Sequence, residues 1–283
     1  MPRIVSTKRL TDRILAFEIE APDIASSAEA GQIVLARFDP LASWTPKAIC
    51  DADRAGGKVT FLSRLEASVP ANASGARALA GPADAKPVDP AANGIEIDGP
   101  LGVRTSPEKA ARALFVAEGV GIGAIVPRLR ALKEKGCYTM AIAGYPSKNN
   151  LFWVDRLDDL SDELYIVTED GSFGIKGPLR HTLRAVCEQI GDIEAVHAAG
   201  SLKLLKTVAD VTRNFKIPTT VTLASVLDDT ENAAAEDPET AELADRTRAA
   251  TAAGFDWARS IDLDAHDIDF DALSRTLGIP LTR

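Results

Sequence analysis

The stretch Leu114-Phe115-Val116-Ala117-Glu118-Gly119-Val120-Gly121-Ile122-Gly123 decides the fold of the second half of the chain. Its four leading apolar residues predict a short buried strand, and the glycines after them predict a tight turn. A helix is expected to follow and to include residues 127–133, with Gly136 at its C-terminal end. A strand, a glycine-rich turn and a helix in this order are typical of one unit of a parallel α/β sheet.

The alternation of predicted strands and helices continues for the next hundred residues. Apolar runs predict further strands at 139–143, 164–167, 195–198 and 219–223, and helices are expected at 178–189 and 201–214. Alternating strands and helices predict a parallel sheet that helices cover on both faces. We assign residues 105–227 to this α/β domain.

The first hundred residues instead predict strands alone, at 4–10, 14–19, 33–38, 57–62 and 94–98. Turns are expected at Pro22-Asp23 and Asp39-Pro40. Short strands at this spacing predict a small antiparallel β-barrel, so the fold class is α/β plus all-β. We assign residues 1–104 to the barrel, with an exposed loop at 68–93, and residues 228–283 to a C-terminal arm that is acidic and Ala-rich at 228–254.

Composition narrows the class of protein. The formal net charge of -9 argues against a nucleic-acid-binding protein, which would present a basic face. Residues 1–4 do not begin a signal peptide, and no apolar run is long enough to span a bilayer, so we expect no membrane insertion. Cys50, Cys137 and Cys187 are odd in number and far apart, which favours reduced thiols and a cytoplasmic location.

Ligands of open parallel sheets bind beyond the carboxyl ends of the strands, where three loops are expected to meet. In the first loop, Gly119, Gly121 and Gly123 would let a diphosphate approach the backbone at a helix N-terminus. A plain tight turn would also explain these glycines. Glu118 opposes a phosphate site, because its carboxylate would repel the phosphate unless the side chain turns away.

The other two loops are polar turns that could equally be structural. In the second, Glu169 and Asp170 could accept hydrogen bonds from ribose hydroxyls, and Gly171 and Ser172 follow them; the third loop contains Gly200. Three such loops on one sheet edge favour a dinucleotide cleft. The three histidines, His181, His197 and His266, are scattered and are interpreted as structural or surface residues. The absence of a catalytic constellation suits a protein whose chemistry belongs to a cofactor.

The order of motifs resembles one branch of the ferredoxin–NADP reductase superfamily. That branch contains the small subunit of NADH-dependent ferredoxin–NADP oxidoreductase, the sulfide dehydrogenase subunit and the electron-transfer subunit of dihydroorotate dehydrogenase. The resemblance extends over nearly the whole chain and is carried by residues 30–32, 99–102, 115–122, 130–133, 162–165, 170–177 and 264–271.

The resemblance implies FAD on the barrel and NAD(P)H on the α/β domain. The family's Arg-Pro motif for the flavin diphosphate aligns with residues 44–48, where Pro46 is kept, Thr45 replaces the arginine and Lys47 offers a point charge. Glu118 stands where the family has glycine, and Gly123-Ala124 where it often has Ala-Pro. The candidate cofactor-binding residues are Pro46, Lys47, Ser74, Gly75, Gly99, Pro100, Gly119, Gly121, Gly123, Glu169, Asp170, Gly171, Ser172 and Gly200.

Many members of the branch also hold a 2Fe-2S cluster, which needs four thiolate ligands. Residues 219–283 contain no cysteine, and Trp257 stands near the place of one cluster cysteine, so no iron–sulfur cluster and no other metal site is expected.

Three functions remain open. The first is transfer of electrons between NAD(P)H and a partner, expected to be a larger redox subunit in a hetero-oligomer, through FAD. The second is a non-catalytic structural or regulatory subunit of a redox complex, and the third is a free-standing nucleotide sensor. The preference between NAD and NADP stays open, and residues 228–254 are the segment expected to contact the partner.

Overall fold

A computed structural model describes residues 2–38, 44–64, 95–102, 110–223, 262–277 and 281. These residues form two sheets, a six-stranded antiparallel sheet in the N-terminal part and a seven-stranded sheet in the C-terminal part. The predicted fold class, an antiparallel barrel-type sheet followed by an α/β domain, is confirmed. The domain boundaries at 104 and 227 stay predictions.

The first sheet has the strand order β1-β2-β5-β4-β3-β6, and every pair in it is antiparallel. Apolar side chains on its inner face build one core, in which the rings of Phe17 and Phe61 stack at 5.5 Å. The strands are β1 (Arg3–Arg9), β2 (Ile14–Glu20), β3 (Ile33–Arg37), β4 (Thr45–Asp53), β5 (Lys58–Arg64) and β6 (Glu96–Leu101).

Two elements of this sheet differ from the sequence prediction. Pro22-Asp23 begins helix α1 (Pro22–Ser27) rather than a turn, because proline suits a first helical position and Ile24 and Ala25 bury one face of the helix. Strand β4 was not predicted. Its Pro46 and Lys47 break the apolar alternation, although both are buried in the sheet.

The second sheet has the order β10-β9-β8-β7-β11-β12-β13. Its strands are parallel except β13, which pairs antiparallel with β12. The central strand β7 pairs Phe115 with Ala141 on one side and with His197 on the other. The strands are β7 (Arg112–Glu118), β8 (Tyr138–Tyr145), β9 (Glu163–Thr168), β10 (Ile175–Lys176), β11 (Ala195–Ala199), β12 (Thr219–Thr222) and β13 (Asp262–Asp264).

Helices cover both faces of this sheet, as predicted. One face packs against α4, α5 and α6, and the other against α2 and α3. The short elements α3, β10, β13 and α6 were not predicted. The helices are α2 (Gly121–Glu134), α3 (Val154–Leu160), α4 (Leu179–Ile190), α5 (Leu202–Phe215) and α6 (Phe270–Leu277). In the part of the chain described, no helix combines the length and apolar character needed to cross a membrane.

The two sheets meet where α2 lies against β4 and β5. A Cβ atom added at Gly123 would overlap Cys50 Sγ and lie 2.9 Å from Leu62 Cδ1, so the barrel and the helix are in direct contact there. Beside this contact, Asp51 of β4 accepts hydrogen bonds from Arg130 of α2 at 2.9 Å and from Arg156 of α3 at 2.6 Å. Partial burial works to raise the pKa of Asp51, but the two guanidinium groups hold it below its ordinary value.

Candidate active site

A cleft of about 620 Å³ opens at the carboxyl ends of the parallel strands. The loops after β7, β8, β9 and β11 form one wall, and the barrel forms the other through the turn before β2 and the end of β5. This is the sheet edge at which the sequence predicted a dinucleotide site.

The four glycines predicted in the first and third loops perform two different roles. Gly119 and Gly200 line the cleft, and Gly119 has a φ of 54° that favours glycine. Gly121 and Gly123 are needed for packing instead. A Cβ on Gly121 would overlap the Ala199 backbone, and one on Gly123 would overlap Cys50 of the barrel.

Glu118 lies at the floor of the cleft, between the first and third loops. Its Oε1 accepts hydrogen bonds from Ser201 Oγ and, at 3.3 Å, from Ser201 N. Ser201 is the N-cap of α5, and its hydroxyl also accepts from Leu204 N at 3.1 Å. The carboxylate is therefore held against the N-terminus of α5, where the helix dipole favours negative charge.

The second loop contributes only its first predicted residue to the cleft. Glu169 lines the wall, whereas Asp170, Gly171 and Ser172 are exposed and are not among the lining residues. Asp170 accepts hydrogen bonds from Ser172 N at 2.9 Å and Ser172 Oγ at 2.6 Å, which lower the pKa of the Asp170 carboxyl. This pair stabilises the turn through side-chain contacts.

The barrel residues predicted from the flavin motif lie in the first sheet and not in the cleft. Pro46 pairs with Leu35 of β3, and the buried ammonium of Lys47 donates to Ser63 Oγ at 3.0 Å. Gly99 and Pro100 lie in β6, where Gly99 packs against the Ile33 carbonyl. Ser74 and Gly75 lie outside the described residues, as does Trp257.

Four cations line the cleft that sequence reasoning did not single out. Arg13 and Arg64 come from the barrel, and Arg180 and Lys203 come from the first turns of α4 and α5. The sequence could have placed Arg180 and Lys203 at the cleft from the helix starts predicted near 178 and 201. Residues in the first turn of these helices lie next to the strand-end loops. Arg64 was hidden at the end of a strand whose neighbour β4 was not predicted.

The histidines and cysteines do not form a reactive cluster. His197 stacks on Phe115 at 5.0 Å between ring centroids, and burial, together with the nearby Arg128 charge, lowers its pKa to about 3. His181 is exposed on α4, and His266 lies 3.2 Å from Thr212 Oγ1. The three cysteines are buried at separate places, and the described residues contain no group of side chains suited to a metal ion.

Comparison with known proteins finds relatives that are similar in sequence over most of the chain. No family model matches the chain. A protein of Clostridium beijerinckii, described as an uncharacterized protein in the adh 3' region, is 30% identical over 238 residues, which is 81% of this chain and 76% of that protein. A dihydroorotate dehydrogenase B (NAD(+)) electron transfer subunit homolog of Thermotoga maritima is 26% identical over 226 residues, covering 80% of this chain and 75% of its own.

Solved structures share the fold over three quarters or more of this chain. The structure of NADH-dependent reduced ferredoxin-NADP oxidoreductase matches with a TM-score of 0.75 at 21% identity, covering 98% of this chain and 93% of that one. The chain has the fold of the ferredoxin–NADP reductases and is similar in sequence to dihydroorotate dehydrogenase B electron transfer subunits. A second structure, the ferredoxin NADP+ reductase of Neisseria gonorrhoeae with bound FAD and NADP, matches with a TM-score of 0.59 at 16% identity, covering 76% of this chain and 90% of its own.

These similarities in sequence and fold confirm the predicted resemblance. The named relatives and the structural neighbours are electron-transfer oxidoreductases by name, and none of them supports the non-catalytic alternative. The individual cofactor-binding residues and the predicted loss of an iron–sulfur cluster stay predictions.

Proposed function

We propose that this chain is an electron-transfer subunit that passes electrons between NAD(P)H and a partner redox protein through FAD. The observation that carries the proposal is the cleft at the carboxyl ends of the parallel strands. Gly119 and Gly200 leave its backbone accessible there, and the Glu118 carboxylate is held against Ser201. The contact with Ser201 supports the proposal, because a phosphate site here requires the Glu118 side chain to turn away from the ligand.

The residues present fit a pyridine nucleotide. Gly119 and Gly200 allow a diphosphate to approach the backbone, Lys203 adds positive charge beside it, and the Glu169 carboxylate suits ribose hydroxyls. The cleft is bounded by both domains, which fits a reaction between a flavin on the barrel and a nucleotide on the sheet. FAD supplies hydride acceptance and electron release, chemistry that no side chain in the cleft provides.

The name electron transfer subunit, which several relatives carry, implies a larger assembly for those proteins. We extend this to the present chain and propose a larger redox subunit as its partner, in the cytoplasm, with FAD and NAD(P) as the only cofactors. Partner contact by residues 228–254, which lie outside the described residues, completes the proposal.

The proposal is tested with the purified chain incubated with FAD and then titrated with NADH or NADPH without oxygen. We expect flavin absorbance on the protein and its bleaching by one of the two nucleotides. A colourless protein whose melting temperature shifts with neither FAD nor pyridine nucleotide would contradict the proposal.

A matched pair of charge reversals tests the place of binding. Lys203→Glu changes the first turn of α5 inside the cleft, and Lys216→Glu changes the residue after the same helix, outside it. We expect Lys203→Glu to weaken NAD(P)H binding about tenfold and Lys216→Glu to change it less than about threefold, since a nucleotide is an anion. Equal effects would place the nucleotide elsewhere.

A further inference from the structure

Residues 150–156 of the α/β domain contact the barrel at two separate places. At one end, Asn150 Nδ2 donates to Asp12 Oδ1 at 3.5 Å, and both of these residues line the cleft. At the other end, Arg156 donates to Asp51 Oδ2 at 2.6 Å. This stretch, called the bridging segment, therefore joins the two halves of the molecule beside the cleft.

Aromatic rings connect the wall of the cleft to the second of these contacts. Tyr145 and Phe152 line the cleft, and the Tyr145 hydroxyl donates to the Phe152 carbonyl at 2.8 Å. The ring of Phe152 lies 6.0 Å from that of Trp153, and the Arg156 guanidinium lies 4.7 Å over the Trp153 ring. A row of packed side chains thus runs from the cleft to Asp51.

The backbone of Trp153 has a conformation that is uncommon for a bulky side chain. Its φ of 54° and ψ of 22° are left-handed, and it precedes the first residue of α3. Among the described residues, Lys216 is the other non-glycine residue with a positive φ, and it follows α5, where left-handed backbone is common. A conformation of this kind persists where its surroundings fix it, and it is often found at functional sites.

Asp51 contacts two helices of the α/β domain with separate oxygens. Its Oδ1 accepts from Arg130 of α2 at 2.9 Å, and its Oδ2 accepts from Arg156 of α3. All three side chains are partly exposed, so each ion pair contributes little to stability. Two guanidinium groups nevertheless fix the position and the direction of a carboxylate. This contact therefore suits alignment of the two domains better than it suits stabilisation.

We propose that Asp51 and Arg156 are positioning residues that set the separation of the barrel from the α/β domain across the cleft. Neither residue lines the cleft, so both act through the bridging segment. This role rests on the proposed function, in which hydride passes from the nucleotide to the flavin, oxidising the nucleotide to NAD(P)+ and reducing the flavin. The rate of such a step depends steeply on how the reacting atoms are placed.

The first measurement needs no cofactor. Spin labels at Thr7→Cys on β1 and Gln189→Cys on α4, both exposed positions, report the distance between the two domains. The three native cysteines are buried, so the labels react at the introduced ones. We expect a broader distribution of distances in Arg156→Gln and in Asp51→Asn than in the otherwise wild-type chain.

The second measurement separates the rate of electron transfer from binding. The chain loaded with FAD is mixed without oxygen with the nucleotide that reduces it, and flavin absorbance gives the rate at saturation and the dissociation constant. We expect Arg156→Gln to slow reduction about tenfold or more and to change the dissociation constant less than about threefold. Arg156→Lys keeps the charge and is expected to recover part of the rate.

Arg112 provides a matched control inside the α/β domain. Its guanidinium lies 5.0 Å over the Tyr138 ring and pairs with Asp192, which is the combination of contacts that Arg156 makes. Both partners of Arg112 belong to the same domain, so Arg112→Gln is expected to leave the distance distribution and the rate of reduction as in the wild type. Melting curves establish that each variant is folded, and Arg156→Lys carries the test if Arg156→Gln does not fold.

The outcomes distinguish this role from the proposed function. Distance distributions that neither Arg156→Gln nor Asp51→Asn broadens reject the positioning role and keep the proposed function. Broader distributions with an unchanged rate of reduction also reject it, as do equal effects in Arg112→Gln. A wild-type chain whose bound FAD is reduced by neither NADH nor NADPH rejects the proposed function and the positioning role together.

Discussion

The contact between the two sheets is closed at one end and open at the other. At the closed end, Gly123 admits Cys50 and Leu62 of the barrel, and Asp51 binds two arginines of the α/β domain. At the open end, the cleft begins between the loop before α2 and the end of β5, beside Gly119 and Arg64. One short stretch of sequence, 119–123, thus contributes to a packing contact and to the proposed binding site, and substitutions should separate the two.

The largest effect is expected at the closed end, for Gly123→Ala. The added methyl group would overlap Cys50 Sγ and press on Leu62, and overpacking of this kind costs about 3 kcal/mol of unfolding free energy. Urea denaturation measures the loss. Gly136→Ala is the control, because a Cβ there meets nothing within 4 Å and only the left-handed backbone at a φ of 80° is penalised, by about 1 kcal/mol.

A second substitution sharpens this prediction. Cys50→Ala in the Gly123→Ala background removes the overlapping sulfur and should restore part of the lost stability. If Gly123→Ala and Gly136→Ala are equally destabilised, or if Cys50→Ala brings no recovery, the closed contact is not as tight as described.

Mild acid should weaken the fold through His197. The pKa of His197 is lowered from 6.5 to about 3 in the folded protein, so below pH 6.5 the unfolded chain takes up a proton that the folded one does not. The stability that this provides is present above pH 6.5 and is reduced by about 2 kcal/mol at pH 5.

The variant His197→Gln should lack this loss in denaturation experiments at pH 7 and pH 5. His181→Gln, at an exposed position on α4, should keep the wild-type loss. An unchanged difference between the two pH values in His197→Gln would mean that the loss in mild acid does not come from His197.

Asp51→Ala should have a smaller effect at the closed end. It removes the acceptor of two charge-assisted hydrogen bonds, but the side chains are partly exposed, so we expect a loss of about 1–2 kcal/mol. Asp158→Ala, at an exposed position on α3, is the control and should stay within about 0.5 kcal/mol. Denaturation in 1 M NaCl should reduce the difference between the two variants; a difference that salt leaves intact would contradict an ionic origin.

These positions also show which parts of the molecule the sequence can reveal. The parallel sheet was predictable because each of its strands is a continuous apolar run, as at 114–117. Strand β4 was not, because Pro46 and Lys47 look like a loop motif until Ser63 is seen to bind the ammonium. The sequence showed the glycines as a group but not their separate roles. Those roles depend on contacts with residues distant in sequence, Cys50 beside Gly123 in the packed contact and Arg64 beside Gly119 at the cleft.

Gly119→Ala should affect binding more than stability. Its backbone lies at a φ of 54°, so alanine costs about 1 kcal/mol there, and its methyl group would lie 3.1 Å from Arg64 Nη2 at the cleft. Gly191→Ala is a matched control, with a φ of 59°, open space around its Cβ and no part in the cleft. We expect equal losses of stability from urea denaturation and a loss of ADP-ribose affinity of about tenfold in Gly119→Ala alone. Equal affinities would remove Gly119 from the binding site.

The smallest effect is expected for Glu118→Gln at the open end. The amide oxygen can still accept from Ser201, so the start of α5 keeps its contact and the unfolding free energy should change by less than about 0.5 kcal/mol. Because the carboxylate faces Ser201 rather than the ligand, affinity for ADP-ribose should rise by less than about threefold. Glu118→Ala, which removes the acceptor as well, should lose about 1 kcal/mol. An increase in affinity of more than tenfold in Glu118→Gln would mean that the Glu118 carboxylate faces the phosphate. The carboxylate would then repel anionic ligands from the open end.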